Sequence, residues 1–190
     1  YVQWMARIGG LAAGAWALGW SRFGWDEMGV GPVPVADVIL WSAVLTAVAM
    51  LVMFAVLGFR RALGWSETPM LDLMIPKTTG ERRLFVGVSI SAGLGEELVY
   101  RGYILPLAWE LIPGVWFPAF AAAVLFGAVH AYQGWFGVVR TVVIAMLLSL
   151  SMILAGTLWP AIIAHILIDL LVGLVFARAL TAPPRAVKAS

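Results

Sequence analysis

Two adjacent acids and an arginine, Glu96, Glu97 and Arg101, stand inside an apolar run that extends from residue 84 to about residue 109. A run of that length is enough to cross a bilayer, since a helical span takes about 20 residues. A charge at the bilayer centre costs at least ~2.5–3.5 kcal/mol on insertion scales, so three of them within six residues have to be paired, solvated in a cavity or put to use. Any fold open to this chain must accommodate Glu96-Glu97-Leu98-Val99-Tyr100-Arg101 on those terms.

The rest of the chain points to a membrane. Of its 190 residues 63% are hydrophobic and 12% charged, against about 25% charged in a soluble domain. The expectation is an all-α, polytopic membrane helix bundle of about six transmembrane helices, in one domain covering residues 1–190. The spans are read at 2–20, 35–59, 84–109, 115–132, 135–155 and 161–180, with breaks at Gly31-Pro32-Val33-Pro34, Pro113-Gly114 and the turn Gly156-Thr157-Leu158-Trp159-Pro160. In the first run, Arg7 ahead of an apolar stretch and the weak Ala13-Gly14-Ala15 cleavage pattern are features of a signal peptide. Trp4, Trp16 and Trp20 near its ends look like interfacial anchors and favour a retained span.

Charge placement sets the orientation. The one long polar connection, residues 60–83, carries Arg60, Arg61, Lys77, Arg82 and Arg83 against Glu67, Asp72 and Glu81, which makes it cytoplasmic under the positive-inside rule. Within it, residues 70–75 read as a short interfacial helix ended by Pro76. Arg178, Arg185 and Lys188 close the chain on the same side, so both termini come out cytoplasmic. Residues 181–190 read as a disordered tail behind a motif-bearing core of 84–180. Asp37, at the entry to the second span, caps the helix or reaches headgroups. The net charge of +2 comes from juxtamembrane residues and suggests no nucleic acid partner. With no cysteine there is no disulfide framework, thiol nucleophile or thiolate metal site.

On a helix, Glu97 and Arg101 share a face and can form an ion pair, while Glu96 lies about 100° round the axis without a local partner. Two carboxylates this close in a low dielectric cannot both ionise cheaply, which leaves one available as a general acid or base. The two histidines of the chain, His130 and His165, both fall in apolar runs. Phe126 sits one turn before His130, where it can pack on the imidazole. His165 and Asp169 are four apart, so one can orient the other. At ~1.5 Å per residue, Glu96 and His165 reach about the same depth, with His130 roughly 10 Å nearer the cytoplasmic face. A site formed by these residues opens towards the cytoplasm.

Glu96-Glu97-x-x-x-Arg101, Phe126-x-x-x-His130 and His165-x-x-x-Asp169, in this order, resemble the three motifs of the CAAX protease and bacteriocin-processing (CPBP, or ABI) family of intramembrane proteins. The resemblance implies an all-helical membrane endopeptidase similar to type II CAAX prenyl proteases, related to the enzyme that removes the last three residues of prenylated proteins. It implies Glu96 and His130 as the water-activating pair, Glu97 with Arg101 as the supporting ion pair, and His165 with Asp169 on the oxyanion side. The family's last motif more often ends in Asn. An ionised Asp169 would repel an oxyanion, so it serves protonated or by orienting His165.

The chemistry has competitors. No cofactor is expected, although Glu96, His130, His165 and Asp169 are donor types that suit zinc or another divalent ion. There is no His-Glu-x-x-His helix. A Ser-His triad is poorly supported, and Ser89, Ser91, Ser149 and Ser151 read as small helix-contact residues. The expected partners are the lipid bilayer with a peptide or lipidated-protein substrate, or, in the alternative reading, other membrane subunits for which this chain is a non-catalytic scaffold. Proton transport through Glu96 and Glu97 lacks the repeats and paired broken helices that transporters show.

Overall fold

A computed structural model describes residues 1–64 and 68–177, and every regular element among them is helical. The helices are α1 (Val2–Arg22), α2 (Gly24–Glu27), α3 (Val35–Ala62), α4 (Pro69–Met74), α5 (Thr79–Val99), α6 (Leu105–Leu111), α7 (Trp116–Val129), α8 (Gly134–Ala155) and α9 (Trp159–Leu170). A π-turn, Tyr100–Ile104, joins α5 to α6 without a break, a second one, Leu171–Val175, continues α9, and a 3₁₀ turn, Ala131–Gln133, leads into α8. Glu67, Arg178, Arg185, Lys188 and the tail 181–190 lie outside the described residues.

Among the described residues two helices are long and apolar enough to cross a membrane by length and composition, α3 and the stretch Ala131–Ala155; α7 and the stretch Trp159–Val175 are apolar but shorter. The long α3 turns Ile39, Leu40, Leu51 and Phe59 outward. Its N-cap is Pro34, with no side-chain cap, and Asp37 lies in the first turn, where the helix dipole favours an acid. The helix predicted at 70–75 is present as α4.

Helix α5 begins at Thr79, five residues before the apolar run, because its start is fixed by polar chemistry. Thr78 Oγ1 accepts from the Glu81 backbone N–H at 3.2 Å, and Glu81 Oε2 accepts from the N–H groups of Thr78 and Lys77 at 3.0 and 2.6 Å. This reciprocal capping box satisfies donors that the first turn otherwise leaves bare.

Helix α5 is flanked by α1 and α9. Glycines permit both approaches: a methyl on Gly95 would collide with Ile8 of α1, and one on Gly93 would collide with Ile166 of α9. Helix α7 lies on α8, with Gly127 against Val142. The buried core combines Leu45 and Ala49 of α3, Leu148 of α8, and Leu158, Ile162 and Ile168 at and within α9. Ser89, Ser149 and Ser151 are buried; the hydroxyls of Ser89 and Ser149 donate to carbonyls one turn back, and that of Ser151 donates to the Thr157 carbonyl. At the far end, the N–H of Leu158 donates to the Gly29 carbonyl at 2.7 Å and the Trp159 indole donates to the Gly31 carbonyl, tying the α2–α3 loop to the start of α9.

Candidate active site

The three charges of α5 divide between two environments. Glu97 and Arg101 are sealed in, with 0% and 2% of their side chains exposed, and Arg101 Nη1 donates to Glu97 Oε1 at 2.8 Å. A second guanidinium donor, Nη2, reaches the Ala145 carbonyl of α8 at 2.7 Å, and the Arg101 guanidinium lies 5.0 Å from the centre of the Phe126 ring. Arg101 therefore links α5, α7 and α8. Ion pairs buried this deeply need their remaining hydrogen-bonding capacity used; the Arg101 contacts do this on the cation's side, while Glu97 Oε2 is buried without a hydrogen-bond partner among the described residues.

Glu97 Oε1 also accepts from His165 Nδ1 at 2.8 Å. A carboxylate already paired with arginine has no proton to give, so Nδ1 carries the hydrogen and Nε2 is the ring atom left to act elsewhere. Nε2 is 3.9 Å from Glu96 Oε2 and 3.9 Å from Asp169 Oδ2. Those separations exceed a direct hydrogen bond, so both carboxyl groups and the imidazole can turn to a molecule held among them. The orienting part that the i, i+4 spacing assigns to Asp169 is thus played by Glu97 from a different helix.

His130 is the C-cap of α7, and its Nδ1 is 2.8 Å from the Phe126 carbonyl. Its ring is 4.6 Å, centre to centre, from the Phe126 ring, which also meets His165 edge-on at 6.2 Å and Tyr100 at 4.7 Å. Phe126 is the apolar wall between the histidines. Despite the depth difference expected for His130, it lines one cavity with Glu96 and His165.

A cavity of about 200 Å³ is lined by Glu96, His130, His165 and Asp169, together with Tyr132 and Arg140. A second, more apolar cavity of about 220 Å³ lies between α1, α5 and α7, lined by Ile8, Leu11, Val99 and Phe126 among others. Glu96 and His130 line both, so they stand where the two meet. Among the described residues no group of three or more His, Asp or Glu side chains is placed to hold a metal ion, and no step below is routed through one.

Three cavity-side residues escape the sequence reading: Tyr132, Gln133 and Arg140. Arg140 carried the same signal as Arg101, a charge inside an apolar run, and it is 5% exposed. The π-turn at Tyr100–Ile104 also went unforeseen. Turns of this kind recur at functional sites, and this one starts just before Arg101.

The helical bundle thus gathers a carboxylate–imidazole cluster beside the meeting of two cavities. Residues 79–171 match the family model for Type II CAAX prenyl endopeptidase Rce1-like proteins, consistent with the CAAX protease and bacteriocin-processing family. The matched stretch opens at the first residue of α5, ends just past α9 and contains Glu96, Glu97, Arg101, His130, His165 and Asp169. No curated protein and no solved structure matches the chain.

Proposed function

We propose that the chain is an intramembrane endopeptidase of the CAAX type, hydrolysing a peptide bond with water activated by Glu96 and His130. One observation carries the reading: these two side chains, from different helices, line the same cavity as His165 and Asp169, and the same pair borders the apolar cavity beside it. A scissile carbonyl brought in through the apolar side meets the Glu96 carboxyl and the His130 imidazole at their junction.

In this reading Glu96 takes a proton from water, helped by His130, and the water oxygen bonds to the carbonyl carbon as the carbonyl electron pair moves to oxygen. Collapse of the tetrahedral intermediate breaks the C–N bond, and the proton held by Glu96 passes to the leaving nitrogen. Glu97 and Arg101 hold His165 in one tautomer and one orientation; they touch no substrate.

The membrane arrangement that goes with this reading has six spans, α1, α3, α5 with α6, α7, α8 and α9, in a single domain with both termini cytoplasmic. Met74 and Ile75, from the basic connection between α3 and α5, line the first cavity, in keeping with a site that opens on that side. The substrate class is a peptide or lipidated protein within the bilayer.

Glu96→Gln in the full chain, reconstituted in lipid vesicles with a prenylated CAAX peptide carrying a fluorophore and quencher, tests the reading. Loss of about 10²- to 10⁴-fold in cleavage with an unchanged melting temperature is expected of a general base. Cleavage at the parent rate sinks the assignment of Glu96. A parent protein that cleaves nothing yet assembles unchanged with partner membrane subunits in either form is the scaffold instead. Full activity in a chelator removes metal-dependent hydrolysis.

A further inference from the structure

An oxyanion needs hydrogen-bond donors, and Glu96, His130, His165 and Asp169 leave few free to serve as one. Glu96 accepts a proton in the proposed reaction, and Asp169, when ionised, repels the developing charge. The Nδ1 hydrogen of His165 is committed to Glu97.

Tyr132 supplies what is missing. It lies on the 3₁₀ turn between α7 and α8, lines the same cavity as Glu96 and Asp169, and its ring is 5.7 Å from the His130 ring. Its hydroxyl oxygen accepts from Gln133 Nε2 at 3.3 Å, and Gln133 Oε1 accepts from Arg140 Nη2 at 3.0 Å. The direction of this chain is fixed by chemistry. A guanidinium can only donate, so the amide atom facing Arg140 is the oxygen, and the atom facing Tyr132 is the nitrogen, which can only donate in turn. The phenol oxygen is therefore already an acceptor, and its own hydrogen is left to be donated elsewhere. Gly137 leaves the room for this: a methyl there would collide with Gln133, whose side chain runs back past Gly137 to Arg140.

We propose that the Tyr132 hydroxyl is the catalytic hydrogen-bond donor to the oxyanion, with Gln133 and Arg140 as positioning residues that keep its hydrogen turned to the substrate. The proposal rests on the endopeptidase reading above. As the water oxygen bonds to the carbonyl carbon, the electron pair arriving on the carbonyl oxygen meets the phenol hydrogen. When the C–N bond breaks the carbonyl re-forms, and the phenol keeps its proton throughout.

The experiment uses the full chain in lipid vesicles with the same prenylated CAAX peptide. Tyr132→Phe removes one oxygen and keeps the ring against Trp4 and His130. It is expected to lower kcat about 10²-fold, the usual loss for one oxyanion donor, with KM within twofold. Gln133→Glu keeps the acceptor for Arg140 but offers the phenol a carboxylate, so the hydroxyl turns away from substrate. The kcat of that variant should fall to a similar degree, and in the Tyr132→Phe background the same change should do nothing more. If Tyr132→Phe turns over within threefold of the parent while Glu96→Gln is inactive, the proposal is overturned and the protease reading stands. A parent that cleaves no peptide overturns both. If Gln133→Glu slows the Tyr132→Phe protein further, Gln133 acts on the fold rather than on the phenol, and the relay is overturned.

Discussion

Helices α3 and α5 make an instructive pair. Both carry much of the bundle's contact surface, yet they are opposites in composition. Helix α3 has no charge between Asp37 and Arg60, buries Leu45, Ala49 and Leu57 on one side and shows Leu40, Leu51 and Phe59 on the other. Helix α5 is thinner and more polar, with glycines where α1 and α9 approach and two acids towards its end. Length and composition mark α3 as a membrane span and pass over α5. The helix that carries the candidate chemistry is the one that hydropathy recognises least, because a residue that solvates badly in lipid is tolerated only where neighbours or a reaction need it.

Three measurements sharpen that contrast. The largest effect is expected from Arg101→Ala, which strands Glu97 inside the bundle. Losing one partner of a buried pair costs about 3–5 kcal/mol, so thermal unfolding in detergent should shift far down. A melting temperature within a degree or two of the parent would mean that the pair contributes little.

Next comes a matched pair of changes in bulk. Gly95→Leu pushes a side chain into Ile8 and is expected to cost about 1–3 kcal/mol. Leu51→Ala, on the outward face of α3, should stay within about 0.5 kcal/mol. Equal effects at the two sites would erase the distinction between a tightly seated helix and one that faces lipid.

The smallest effect belongs to the entry of α5. Backbone N–H groups of Lys77 and Thr78 hold the exposed Glu81 carboxyl below its ordinary value of 4.5. A depressed folded value means that its stabilisation is complete above the ordinary value and is lost as pH falls through the lower folded one. Amide exchange over residues 78–82 should therefore quicken relative to the rest of α5 as pH drops below the ordinary value of 4.5, and Glu81→Gln should remove that dependence.

Much of this was legible in the chain. The apolar runs at 35–59 and 135–155 needed only hydropathy, and the turn at Gly156 to Pro160 declared itself by composition. The pairing of Glu97 with Arg101 and the packing of Phe126 on His130 follow from i, i+4 spacing, and both are present. What spacing misses is contact between helices. It offers His165 a local partner in Asp169, whereas the close approach of α5 and α9 at Gly93 delivers Glu97. The start of α5 had a written signal, Thr78 and Glu81 three apart, that the hydropathy edge at Leu84 obscured. Arg140 was readable by the rule that found Arg101. Tyr132 and Gln133 were not, since only the folded 3₁₀ turn brings them to the cavity.

The π-turns have a consequence for anyone numbering faces along these helices. Each takes up one residue more than an α-turn, so everything beyond it is rotated by about 100° relative to an unbroken count. A wheel drawn from Glu96 therefore assigns α6 the wrong sides: Leu105 and Pro106, buried in the fold, fall on different spokes once the extra residue at Tyr100–Ile104 is allowed for. A single extra residue is enough to re-aim the second half of a helix while Glu97 and Arg101, at the threshold of the turn, keep hold of one another. Deleting one residue between 100 and 104 is the reverse operation, a twist of α6 against the end of α5 that carries Glu96 and Glu97.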